Sequence, residues 1–147
     1  MDACTRLCSV ADEIAGRAIA SRATPRRFLV EFGHAAGGVR TGPLWLLDAA
    51  RGGRNRIVGQ GFAPEFDDST RGQARHFAGI VAVATRIGPT PARWASVHLG
   101  RDRPDSADGR LTDAAIEFTR LVASGRLALG EASTWIAHRL CAAPPAG

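Results

Sequence analysis

The sequence predicts an all-α fold: a compact single-domain bundle of about five to seven helices over residues 1–143, with one irregular stretch or short hairpin near residues 52–66 and a frayed tail at 144–147. Three observations predict it. Apolar residues recur at three- and four-residue steps in five separate segments. Almost no segment alternates with the two-residue period of a strand. Thr-Pro pairs and glycines stand where helices start and stop. A chain of 147 residues with 45% hydrophobic content has enough apolar side chain to fill one core.

The first segment carries Cys4, Leu7, Cys8, Ala11, Ile14, Ala15, Ala18 and Ile19 at helical spacing, a single stripe on a helix of about five turns. Thr24 before Pro25 is an N-cap followed by proline at the first helical position, and Phe28, Leu29, Phe32, Ala35 and Ala36 continue on one face until Gly37-Gly38. Thr41 and Pro43 repeat that start for a shorter segment, Leu44 to Ala50, which reads almost equally well as a buried strand. Arg51 to Phe66 holds four glycines and one proline around Ile57-Val58, the composition of an irregular stretch or a hairpin.

Asp67, Asp68, Ser69 and Thr70 are four candidate caps for the most apolar helix, expected from Arg71 to Ile87 with Phe77, Ile80, Val81, Ala84 and Ile87 as its stripe. Thr90-Pro91 opens a further short helix through Trp94, Val97 and His98. A charged loop from Gly100 to Gly109 follows, then a helix from Thr112 or Asp113 with Ala115, Phe118, Leu121 and Val122, and a last one with Ala132, Trp135, Ile136 and Leu140. Short turns between such segments imply antiparallel neighbours.

All nineteen basic residues are Arg, against fourteen acids, for a net charge of +5. Abundant Ala, Gly and Arg without Lys or Tyr resembles the codon bias of a high-GC bacterial genome. An Arg-only surface suits anions, because the guanidinium grips phosphate or carboxylate with a planar fork. The arginines are scattered, so nucleic acid is a conceivable but disfavoured partner, behind an anionic small molecule or a phosphate-containing ligand. No run of eighteen apolar residues and no basic-then-apolar N-terminus is present, from which a soluble cytoplasmic protein without a membrane partner is expected. Oligomeric state is not readable.

Three cysteines, an odd number, fit reduced thiols. Cys4 and Cys8 share one helix face and His138 and Cys141 lie three apart near the chain's end. If the first and last helices pack together, the four side chains could meet as a tetrahedral zinc site, against the plainer reading of three small buried hydrophobes and a helix-end His. No cofactor is otherwise indicated. The loop acids Asp102, Asp105, Asp108 and Asp113 fail the register of a calcium loop, and Asp108 or Thr112 as an N-cap explains this stretch better. The phosphate loop, dinucleotide fingerprint, HExxH and GxSxG patterns are all absent.

Two clusters place polar groups beside apolar stripes, where catalysis needs them. Glu31 and His34 are neighbours on the second helix, and a Glu beside Phe28 and Phe32 would be desolvated, as suits a general acid. The alternative is an exposed surface pair. The second cluster is Asp67-Asp68-Ser69-Thr70-Arg71-Gly72-Gln73-Ala74-Arg75-His76-Phe77. A half-buried imidazole beside a carboxylate exchanges protons near neutral pH. The alternative there is helix capping by the acids and an interior hydrogen bond for His76.

Arg71 and His76, separated by four residues, also resemble the short signature of the HEPN family of helical ribonucleases. The resemblance covers six residues, with Gly72 where that family usually has a polar residue. It implies Arg71 binding phosphate and His76 assisting cleavage by a neighbouring 2′-hydroxyl.

Read from the residues, the leading expectation is a small enzyme for acid–base hydrolysis or lyase chemistry on an anionic substrate, in a cleft walled by the second helix and the Arg71–Ile87 helix. His76 would transfer the proton, Asp68 orient it or hold a water, and Glu31 supply a second carboxyl. Arg75 would neutralise the substrate, with Asp67, Gln73, His34 and Arg71 also in contact. The alternative is a non-enzymatic module for a protein, peptide or nucleic acid, anchored by Trp45, Trp94 or Trp135 with Arg at the rim.

Overall fold

The computed structural model describes residues 1–88, 90, 92 and 106–143. Among them are six α-helices and no strand: α1 (Ala3–Ala20), α2 (Pro25–Gly37), α3 (Trp45–Ala50), α4 (Gln73–Ile87), α5 (Ala107–Ala123) and α6 (Ala132–Leu140). One-turn 3-10 helices at Pro64–Phe66 and Leu129–Glu131 complete the set. The expected short helix through Trp94, Val97 and His98, the loop acids Asp102 and Asp105, and the tail at 144–147 lie outside the described residues.

Helix α1 buries Cys4, Leu7, Ala11, Ile14, Ala15 and Ala18, while Ile19 at its end turns out to solvent. Its first turn is capped by Asp2, whose Oδ1 accepts from Thr5 N at 2.8 Å. Thr24 caps α2 as expected, accepting from Arg27 N at 3.2 Å, and Gly38 ends the helix in the left-handed conformation. Helices α1 and α2 thus form a hairpin over a short connection.

Helix α2 makes its most extensive contacts with α4. The pair is antiparallel: Arg26 Nη1 reaches Thr85 O at 2.8 Å near one end, while Gly37 lies against Ala78 and Gly79 near the other. No side chain separates the backbones at Gly33, where a Cβ would sit 2.7 Å from Ala82 Cβ. The core then closes around an aromatic chain. Phe32 meets Phe77 and Phe118 at centroid separations of 6.1 and 5.7 Å, and Phe118 meets Trp135 at 5.3 Å. Such contacts each add about 0.5–1.5 kcal/mol beyond the area they bury.

Three features differ from the sequence expectation. Helix α5 begins at Ala107, not at Thr112 or Asp113, because Ser106 is the cap, its Oγ accepting from Gly109 N at 3.0 Å. Asp108 and Thr112 are therefore inside the helix, four residues apart on one face. Second, the first turns of α4 and α5 lie side by side, as His76 on Thr112 shows. Their N-termini share one end of the bundle. Third, the apolar segment Leu44 to Ala50 is neither a buried strand nor a buried helix: α3 buries no residue, and Leu46 is 62% exposed.

Helix α3 is held by ionic contact. The Arg40 fork grips Asp48 through Nε–Oδ2 and Nη2–Oδ1 at 2.7 and 2.9 Å, and Arg40 N adds a third bond at 2.9 Å. Trp45 lies under the Arg86 guanidinium, 5.0 Å from the ring centroid. The side-chain and backbone hydrogen bonds from Arg40 hold the Asp48 carboxyl down at about 2. A carboxyl with a lowered folded-state pKa contributes stability above its ordinary value near 3.8, and that contribution is lost as pH falls toward about 2. Asp48→Asn should therefore loosen α3 at neutral pH and abolish the Trp45 fluorescence change expected of the wild type between those pH values. Identical acid titrations of the two chains would contradict this.

Residues 51–72 form no hairpin. They make an irregular strap that binds both chain ends: Ala3 N and Cys4 N donate to Gln60 O, Ala63 N donates to Leu140 O, and Ala142 N to Gly61 O. Phe62 and Cys141 form an isolated antiparallel bridge. Gly61, at φ 105°, passes so close to the Asp2 carboxylate that no Cβ would fit. At this junction Cys4 and Cys141 are joined in a disulfide, which corrects the expectation of reduced thiols. The first and last helices do meet as the zinc reading required. With Cys4 bonded to Cys141 and His138 exposed, however, that four-ligand set is not assembled, and no metal-binding group of three or more His, Cys, Asp or Glu occurs among the described residues.

Candidate functional site

The turn before α4 positions the acids. Asp67 Oδ1 accepts from Ser69 N at 2.9 Å, and Asp68 Oδ1 accepts from Thr70 N at 2.9 Å and Thr70 Oγ1 at 2.6 Å. These are side-chain turns, and they bring Ser69 to a positive φ of 69°. The helix itself starts two residues later than expected, at Gln73, with Gly72 at the cap and no side chain bonding its first turn. The acids thus shape the approach to α4 instead of capping it.

Gln73 is only 2% exposed, and its Nε2 donates to Asp68 Oδ1 at 3.0 Å. A carboxylate can only accept, so the amide nitrogen must face it, and Oε1 points into the interior without a hydrogen-bond partner among the described residues. Burial pushes the Asp68 carboxyl up, but hydrogen bonds from Thr70 Oγ1 and N and from the Asp108 carboxyl outweigh it and hold Asp68 below its ordinary value. A hydrogen bond between two carboxyl groups needs one proton on the pair. The pair therefore titrates as a unit.

One step further along both helices, His76 Nε2 and Thr112 Oγ1 are 2.8 Å apart. Thr112 is buried at 2% exposure, while His76 is half-buried. The geometry follows from helix periodicity: Gln73 and His76 are three apart on α4, and Asp108 and Thr112 four apart on α5, so each helix offers one polar pair to the other. The result is a polar seam with two levels, a carboxyl pair backed by a buried amide and an imidazole fixed by a buried hydroxyl. Such a seam can hold a proton on a carboxyl and present an oriented ring beside it.

Arg75 folds back over Gly72, where an added Cβ would come within 3.4 Å of its Nη2. Arg71 is exposed, and its carbonyl accepts from Gly59 N at 3.2 Å. The orienting role expected of Asp68 falls at Nε2 to Thr112. Thr112 and Asp108 are not among the site residues the sequence suggests, because each also reads as a helix cap. The available signal was their spacing of four beside Leu111, Ala115 and Phe118.

Glu31 and His34 lie elsewhere. Glu31 Oε1 accepts from Arg27 Nε at 3.1 Å, and both line an open groove of about 410 Å³ between α1 and α2 with Arg17, Ser21 and Thr41. Neither Asp68 nor His76 lines it. The groove is the surface-pair alternative for Glu31, apart from one feature: His34 Nδ1 is buried with no partner among the described residues.

Trp135 packs into the aromatic core and Trp45 is covered by Arg86, so two of the three proposed tryptophan anchors are engaged within the chain itself. Comparison with protein-family models, curated proteins and solved structures finds no match to this chain.

Proposed function

We propose that the α4/α5 seam is the working site of a small enzyme that carries out acid–base hydrolysis or lyase chemistry on an anionic substrate. The observation that carries this reading is the His76–Thr112 hydrogen bond set one step from the Asp68–Asp108 carboxyl pair. In it His76 moves the proton to or from the reacting group, and Thr112 acts as a positioning residue that fixes the ring. The Asp68–Asp108 pair holds a water through its ionised oxygen and keeps a second proton ready. Arg75 and Arg71, on the same approach to α4, draw in the anionic group. Glu31 has no part in this site, and neither does His34.

The test is an assay of the purified chain on a panel of phosphomonoesters, phosphodiesters including RNA, and carboxylate esters. Wild type, His76→Gln and Asp68→Asn are compared. Removing a general acid–base group should lower kcat/KM by roughly 100-fold or more, read at a temperature where circular dichroism shows each variant fully folded. Asp68→Asn should shift the pH profile as well as the rate, since it breaks the shared-proton pair. Equal turnover by wild type and His76→Gln across the panel would reject the enzyme and leave the binding module.

A further inference from the structure

We infer that Cys4, Cys8 and Cys141 form a thiol–disulfide exchange site, in which Cys141 can be bonded to either of the two α1 cysteines. This inference is independent of the α4/α5 seam. The disulfide joins Cys4 to Cys141, and the remaining thiol, Cys8, places its Sγ 3.8 Å from Cys141 Sγ. That placement follows from the helix: residues four apart lie one above the other, so a sulfur that meets position 4 also faces position 8. Cys141 is brought there by the strap, through the Phe62 bridge and the bond from Ala142 N to Gly61 O at 2.8 Å. Cys4 is fully buried, whereas Cys8 and Cys141 are both half-buried.

The step balances within the chain. Cys8, as thiolate, attacks Cys141 Sγ; the Cys8–Cys141 bond forms as the Cys4–Cys141 bond breaks, and Cys4 leaves as a thiolate that takes up the proton Cys8 gave up. No oxidant or reductant is consumed. The cross-link between the two chain ends is kept while the free thiol moves from a half-buried position to a buried one. Burial pushes the Cys8 thiol up, with the Asp2 carboxylate adding to it, so the thiolate is scarce at neutral pH and equilibrium is reached only slowly.

Peptide mapping decides it. The full chain is brought to equilibrium in a glutathione redox buffer, quenched with acid and N-ethylmaleimide, and cut with trypsin. Arg6 separates Cys4 from Cys8, and Arg139 releases Cys141 on its own peptide. The wild type should show Cys141 linked to both α1 peptides, Cys4→Ala should convert fully to the Cys8 link, and Cys8→Ala should keep the Cys4 link alone. Cys4→Ala that folds yet leaves Cys8 and Cys141 unlinked would overturn the inference. So would a wild type in which only the Cys4 link is found at equilibrium, a result that stands even where the variant fails to fold.

Discussion

A chain carrying Cys141→Ala is expected to melt roughly 10–20 °C below the wild type, measured by circular dichroism without reductant. The cross-link spans a sequence separation of 137, nearly the whole chain, so it restricts the unfolded ensemble about as much as a single bridge can. The loop-closure relation gives about 5 kcal/mol for a loop of that length, and a chain of this size loses roughly 3–4 °C for each kcal/mol. What the bridge ties matters too: α1 and α6 pack antiparallel, and the strap joins their ends through main-chain bonds, the Glu65–Arg139 ion pair and the buried Phe62 and Phe66. Cys4→Ala should cost much less than Cys141→Ala, because Cys8 can take over the bond and the loop shortens by only four residues. A Cys141→Ala chain melting within a few degrees of wild type would mean that the bridge is not formed in solution or that the strap alone fixes the ends.

Much of the fold is legible in the sequence because it is written in local terms. The Thr24-Pro25 start, the Gly37-Gly38 stop and the stripe on α1 from Cys4 to Ala18 each depend on residues within one or two turns, and each is where the residues put it, Ile19 excepted. The same alphabet fails at residues 67–70. Asp, Ser and Thr cap helices and also close side-chain turns, for the same reason: a short side chain bearing an acceptor reaches a main-chain N–H two or three residues on. Which of the two occurs depends on where the chain must go next, and here Gln73 turns into the interior and bonds back to Asp68. The start of α5 was misplaced by the same ambiguity, with Asp108 and Thr112 read as caps when Ser106 takes that role.

The site was half legible for a related reason. Asp67, Asp68, Gln73 and His76 are close in sequence and share a helix approach, so they could be grouped before any contact was known. Their partners Asp108 and Thr112 lie more than thirty residues away, and only the side-by-side packing of two helix N-termini brings them in. Glu31 belongs to the cluster only if α2 and α4 wall a common cleft. They do pack together, but through Gly33, Gly37, Ala78 and Ala82, small residues that bring the two backbones into contact.

That close approach makes a second large effect predictable, and its sign can be set against a control in the same protein. Gly33→Ala is expected to destabilise the chain by about 1–2 kcal/mol, and Gly33→Val by about 3 kcal/mol or more, whereas Gly16→Ala is expected to stabilise it by about 0.5–1 kcal/mol. All three substitutions gain the helix propensity that glycine lacks. At Gly16, on the exposed face of α1, a Cβ meets nothing within 4 Å, so the gain is kept. At Gly33 a Cβ would lie 2.7 Å from Ala82 Cβ and 3.2 Å from Ala82 Cα, atoms that cannot swing aside as the tip of a flexible side chain could. Helix α2 would have to lift from α4, opening the contact between Phe32 and Phe77. The overpacking cost of roughly 1–3 kcal/mol therefore exceeds the propensity gain, and β-branching at Val enlarges it. Urea midpoints at an unchanged slope measure both directions. Gly33→Ala moving the midpoint upward alongside Gly16→Ala would show that α2 and α4 stand farther apart in solution than the core requires.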